Sequence, residues 1–202
     1  MHALKGCSAI AALIACAGGA LAGPAAPRVI FSNIAGDASS LVPGLGGVRF
    51  SSFSRPYRSP NGAFWIISAD TDAATSEDEV VIGGFGLAGA VVAREGGAIQ
   101  DRADFIGLID QRLSINNAGQ FAFATNTTGT DADEIIVRGD LSGSPLITAI
   151  QETDPVVLNG GGSATLGASV WLGDILSDGR IAYGASLVAP TSGGLSGLLI
   201  DR

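Results

Sequence analysis

Without its first 22 residues the chain has no cysteine, no histidine and no lysine. Those residues form a leader: His2 and Lys5 give a weakly positive start, Ser8 to Ala17 is apolar, and Gly18-Gly19 breaks any helix. Ala20 and Ala22 then stand at the small-residue positions that a signal peptidase reads. An alternative reading takes Leu13-Ile14-Ala15-Cys16 as a lipoprotein box, with Cys16 lipidated. Both readings predict export to the periplasm or beyond, the second with a lipid anchor. The apolar run is too short to span a bilayer.

The missing residue types exclude whole classes of chemistry. Cys7 and Cys16 leave with the leader, so the remainder has neither disulfide nor thiol. Without histidine there is no Ser-His-Asp or Cys-His nucleophile system and no imidazole zinc site. Without lysine there is no Schiff base and no phosphate-gripping loop of the Walker type. Ten arginines face 19 acids, giving a net charge of −9 with no basic run, which argues against nucleic acid as a partner. Only carboxylates, hydroxyls and arginine remain for catalysis, and the sequence predicts a chain that is not an enzyme.

What is present is apolar and interrupted. Hydrophobic residues are 47% and charged residues 15%, with 30 glycines breaking the apolar runs. That pattern fits an all-β chain, since a helix needs unbroken stretches near ten residues. A polar turn ending in glycine, followed by a short alternating strand, occurs three times. The copies are Ser59-Pro60-Asn61-Gly62-Ala63-Phe64-Trp65, Asn116-Asn117-Ala118-Gly119-Gln120-Phe121-Ala122-Phe123 and Ser177-Asp178-Gly179-Arg180-Ile181-Ala182-Tyr183. An Asn-Gly or Asp-Gly pair supplies the positive φ of a tight hairpin.

The spacing predicts one domain over 23–202 after a leader at 1–22. Repeats fall at about 46–96, 104–152 and 168–201, each of four short strands, except that the last has three. A leading strand at 28–34 matches the fourth strand of a repeat and is expected to complete the last sheet, hiding both edges. The expected fold is therefore an all-β, β-propeller-like array of about three four-stranded antiparallel sheets. Such a unit stands alone, pairs as a homodimer into a six-sheet ring, or is a shortened copy of a longer protein.

The recurring Asn-x-x-Gly-x-[Ile/Phe]-Ala-[Phe/Tyr], with an acidic tip and an apolar strand after it, resembles the exported bacterial propeller-like repeat proteins. The resemblance covers about residues 28–201. It implies an extracytoplasmic scaffold with a cell-surface or glycan partner, and it brings no catalytic residue with it.

Acidic hairpin tips are the candidate metal site. Asp70, Asp72 and Asp78 in the first repeat, and Asp131 and Asp133 in the second, place carboxylates where an exported protein would meet Ca²⁺. The spacing matches no calcium loop, and solvated tips explain the same pattern, so the expectation is no obligate cofactor. Glu95, Asp110, Glu152 and Asp174 near strand ends are the carboxylates available to the alternative function, hydrolysis of an extracellular glycan. The aromatics Phe64, Trp65, Phe121, Phe123 and Tyr183 recur at one repeat position and read as core. Trp171 stands outside that pattern and is the better surface candidate.

Overall fold

A computed structural model describes residues 28–130, 132–158, 162–188 and 195–200. Thirteen strands form three antiparallel sheets, with one 3₁₀ turn at Ala38–Ser40. The first sheet has the order β1 (Phe50–Phe53), β3 (Phe64–Thr71), β4 (Glu79–Phe85), β5 (Ala88–Arg94), and the short β2 (Tyr57–Arg58) pairs with β3. The second comprises β6 (Ile106–Ile115), β7 (Gln120–Thr127), β8 (Glu134–Asp140) and β9 (Ile147–Gln151) in sequence order. The third comprises β10 (Pro155–Val157), β11 (Ser163–Ile175), β12 (Ile181–Val188) and β13 (Leu195–Ile200), again in order.

Two expectations are corrected. Residues 28–34 are not a strand and do not complete the last sheet. The fourth strand there is β10, paired to β11 through Pro155–Thr165, Val156–Ala164 and Val157–Ser163, so the third repeat starts near 155 rather than 168. The first sheet also has five strands rather than four. Residues 28–48 instead form a strap over the outer face of the first sheet. Phe31, Val42, Leu45 and Val48 pack with Phe50, Trp65, Ile67, Val80 and Ile82 in one apolar cluster. The physical reason is local: Ser32 N–H bonds to Ser39 O and Asp37 caps the 3₁₀ turn through Ser39 N, which folds the segment back on itself.

Each strand alternates sides, so each sheet has two faces of different bulk. In the second sheet Phe121 and Phe123 point to the first sheet and join Ile66, Val81, Ile106 and Ile135 in a buried cluster. Ala122 and Ala124 point the other way and receive Ile181, Tyr183, Ala185 and Leu187 of the third sheet. A bulky face thus seats on the smaller face of the sheet before it, twice over. At roughly 1.5–3 kcal/mol for each large apolar side chain removed from water, these two interfaces dominate the folding energy.

The three glycine turns have one geometry. Gly62, Gly119 and Gly179 have φ of 71°, 77° and 87°, and each donates its N–H to the carbonyl three residues back, on Ser59, Asn116 and Leu176. The residues just before, Asn61, Ala118 and Asp178, are not in the left-handed region, so the positive φ falls on glycine alone. This is a type I turn closed by a glycine bulge rather than a two-residue primed turn.

The end of the fourth strand shows the same economy. Gly96 has φ 74°, and the equivalent residue after Glu152 is Thr153 at φ 72°. A β-branched residue is strained there. Thr153→Gly is expected to raise stability by about 1 kcal/mol, read as a higher urea midpoint at unchanged slope.

Candidate functional site

Among the clefts between successive sheets, two small crevices are equivalent. The first, of about 100 Å³, is lined by Ser68, Asp70 and Glu79 of the first sheet and Ile109 and Gln111 of the second. The next, of about 150 Å³, is lined by Asp110, Asn126 and Glu134 of the second sheet and Ser169, Val170 and Trp171 of the third. Glu79 opens β4 and Glu134 opens β8, so the same strand position faces each crevice.

Both glutamates are already engaged. Glu79 Oε2 accepts the backbone N–H of Ile109 at 2.5 Å, and Glu134 Oε2 accepts that of Val170 at 3.0 Å. Ile109 and Val170 lie where β6 and β11 depart from regular register with their partner strands. A bulge breaks the ladder, and a carboxylate from the preceding sheet takes the N–H. Ser196 stands at the corresponding place in the third repeat, opposite Ser186.

Further carboxylates crowd behind each clamp. Burial pushes the Glu79 carboxyl above its ordinary range, the Ile109 N–H opposes that, and the charges of Glu95, Asp70 and Asp78 add to the rise. Burial also raises Glu95, with help from its hydrogen bond to Asp78, and burial followed by the Asp133 and Glu134 charges raises Glu152. A raised carboxylate favours the fold only when protonated. Stability therefore falls as pH rises from the unfolded value near 4.5 through the raised folded values. Asp104 and Asp140 act in the opposite sense. Arg102 holds Asp104 well below the usual carboxylate range, and hydrogen bonds headed by the Ser142 hydroxyl pull Asp140 down to about 2. Their contribution is lost as pH drops below the unfolded value of 3.8. Maximum stability is expected near pH 4–5, measurable as the midpoint of thermal unfolding across pH. Glu79→Gln, which keeps an acceptor for Ile109, should raise the midpoint at pH 7 and lose that advantage by pH 4.5. Glu79→Ala should lower it at both, by about 1–3 kcal/mol.

The expected metal residues are not gathered at one point, although Asp70 and Asp78 both lie near Glu79. Asp70 accepts the Ser52 hydroxyl at 2.5 Å, Asp72 accepts Arg49 N–H at 2.7 Å, and Asp78 sits with Glu95. Asp133 sits with Glu152, while Asp131 lies outside the described residues, as do Cys16, Ala20 and Ala22. Among the described residues no group of three or more His, Cys, Asp or Glu is placed to hold a metal ion.

The glycan-hydrolysis carboxylates are likewise spread out. Glu95 and Glu152 belong to different sheets, Asp174 accepts the Ser114 hydroxyl across the interface between the second and third sheets, and Asp110 lines a crevice with Glu134, an acid outside that set. Trp171 is 41% exposed, whereas Phe121, Phe123 and Tyr183 are buried and Phe64 and Trp65 half-buried. The clamp role of Glu79 and Glu134 escaped the sequence reading. The signal was available: each is the acid immediately before the apolar run of the third strand in its repeat, Val80-Val81-Ile82 and Ile135-Ile136-Val137.

The family model for DUF7453, a family of unknown function, matches residues 28–196. The chain belongs to this family. No curated protein and no solved structure matches it. The matched span takes in the strap and all three sheets up to the start of β13, so the family is defined on the stacked-sheet unit and not on one crevice. No helix among the described residues is long and apolar enough to cross a membrane.

Proposed function

We propose that the chain is an exported, propeller-like repeat scaffold that acts by binding rather than by catalysis. The observation that carries this reading is the use made of Glu79 and Glu134. Each crevice holds two carboxylates, Asp70 with Glu79 and Asp110 with Glu134, and in each the glutamate spends one oxygen on a backbone N–H of the next sheet. A catalytic acid needs a free oxygen aimed at substrate and a partner at a fixed separation across a cleft. Three sheets stacked bulky face on small face support an arc of propeller-type blades. The strap over the first sheet supports an arc that stands alone over a homodimeric ring, because it occupies the face through which a ring would close. The deciding experiment is a turnover screen on extracellular polysaccharides with purified protein. No release of reducing ends is expected; release that disappears in Asp110→Asn and Glu134→Gln would overturn the scaffold reading.

One observation favours a second reading. The crevice between the second and third sheets joins Asp110 and Glu134 to the exposed Trp171, an aromatic beside carboxylates as a glycan contact requires. Glycan hydrolysis there is the outcome the same screen reads directly.

A further inference from the structure

Charge in this chain is strongly segregated. Residues 28–68 hold four of the ten arginines and one of the 19 acids. Asp37, that one acid, is occupied by Ser32 and Ser39. Two of these arginines, Arg28 and Arg58, line a groove of about 550 Å³ beside Trp65 on the outer face of the first sheet. Phe31, Phe53, Trp65 and Ile67 line it, and among the described residues its charged lining is Arg28 and Arg58. In a protein this acidic, an apolar groove without one carboxylate is a selective environment.

The groups in the groove are committed in a way that leaves it receptive to one kind of molecule. Trp65 Nε1 donates to Gly86 O at 3.0 Å, so the ring has spent its one polar atom and offers only its π face and edge. Phe31 stands edge-on to it at 6.0 Å and adds a second apolar surface. Arg58 Nη2 donates to Gly62 O at 2.7 Å, which fixes the guanidinium, and among the described residues its other N–H groups have no hydrogen-bond partner. Arg28 has no carboxylate partner among the described residues; the ion pairs there belong to Arg94, Arg102 and Arg180.

We propose that this groove binds an amphiphilic carboxylate, with an elongated apolar body along Phe31, Phe53, Trp65 and Ile67 and its head on Arg28 and Arg58. Guanidinium groups bind carboxylates in paired N–H···O contacts, and a partly desolvated aromatic floor strengthens that pairing. The volume falls within the range of small-molecule pockets, and two guanidinium groups line an otherwise largely apolar wall. The groove is separate from the inter-sheet crevices, so this inference and the scaffold reading stand or fall independently.

Decanoate is the probe, and Trp65 the reporter once Trp171→Phe removes the other tryptophan. Titration below the micellar range should change Trp65 emission saturably. Decanol and decylammonium, which share the chain but not the head, should bind at least ten-fold more weakly. Arg28→Gln and Arg58→Gln should each weaken decanoate several-fold, and the exposed Arg112→Gln should leave it unchanged. Equilibrium dialysis of decanoate against the unsubstituted protein gives the same affinity without relying on any variant. Equal affinity for decanoate and decanol, indifference to both arginine changes, or no saturable binding would overturn the proposal. So would a doubled solution mass with decanoate excluded, which would assign the groove to a second copy of the chain.

Discussion

Replacing Asn116 by alanine is expected to destabilise the protein by about 3 kcal/mol, lowering the thermal midpoint by about 6–12 °C. Asn116 is 1% exposed and uses both ends of its amide. Its Oδ1 accepts the N–H groups of Ala118 and Gln120 at 2.9 and 3.1 Å, closing its own turn. Its Nδ2 donates to Gln120 Oε1 at 2.8 Å and, across the interface, to Leu176 O at 2.9 Å in the third sheet. Alanine removes all four, taking the acceptor from the Ala118 and Gln120 N–H groups and the cross-sheet donor from Leu176 O, which keeps only the Gly179 N–H. Neighbouring Asn117 is the control. It accepts only Asn61 N–H, at an exposed site, so Asn117→Ala should change stability by no more than about 1 kcal/mol. Equal effects at the two positions would show that Asn116 serves its turn alone and not the join between sheets.

That contrast locates what the sequence could and could not reveal. The turn glycines, the alternation after them and the all-β class were readable because each is a local rule: φ sign, period two, breaker spacing. The placement of residues 28–34 was not. Arg28-Val29-Ile30-Phe31 has strand composition, but Val29 is 74% exposed and only Phe31 reaches the cluster around Trp65, so the segment docks by one side chain and forms no ladder. Composition cannot tell a strand from a strap when both are short and apolar. The clamps failed for a different reason. Glu79 and Glu134 sit beside genuine tip acids, and although each directly precedes an apolar strand, a run such as Glu77-Asp78-Glu79 does not say which N–H its carboxylate will meet. That depends on the bulges at Ile109 and Val170, which lie 30 and 36 residues away. The same distance hid Asn116: its role in the turn is local and was legible, while its bond to Leu176 spans 60 residues.

Gly84→Ala is expected to be at least as damaging as Asn116→Ala, with about 3 kcal/mol or more lost and reduced yield of folded protein. A Cβ on Gly84 would fall far inside contact distance of the Ala88 backbone carbonyl and of the Trp65 ring. The Ala88 carbonyl belongs to the hairpin partner strand and cannot withdraw without breaking the β4–β5 ladder, in which Phe85 pairs with Ala88 and Gly84 with Gly89. Trp65 cannot withdraw either, since its ring lies over Gly84 and Gly89 and its Nε1 is tied to Gly86 O. The glycines therefore form a flat track for one indole. Gly86→Ala separates this from a backbone effect. Gly86 has φ 59° and nothing within 4 Å of an added Cβ, so only the left-handed conformation is penalised, at about 1 kcal/mol. If Gly86→Ala proves the worse of the two, hairpin conformation outweighs the seating of Trp65. If Gly84→Ala dominates, the close approach of tryptophan to the strand is what fixes the outer face of the first sheet, and with it the shape of the arginine-rimmed groove.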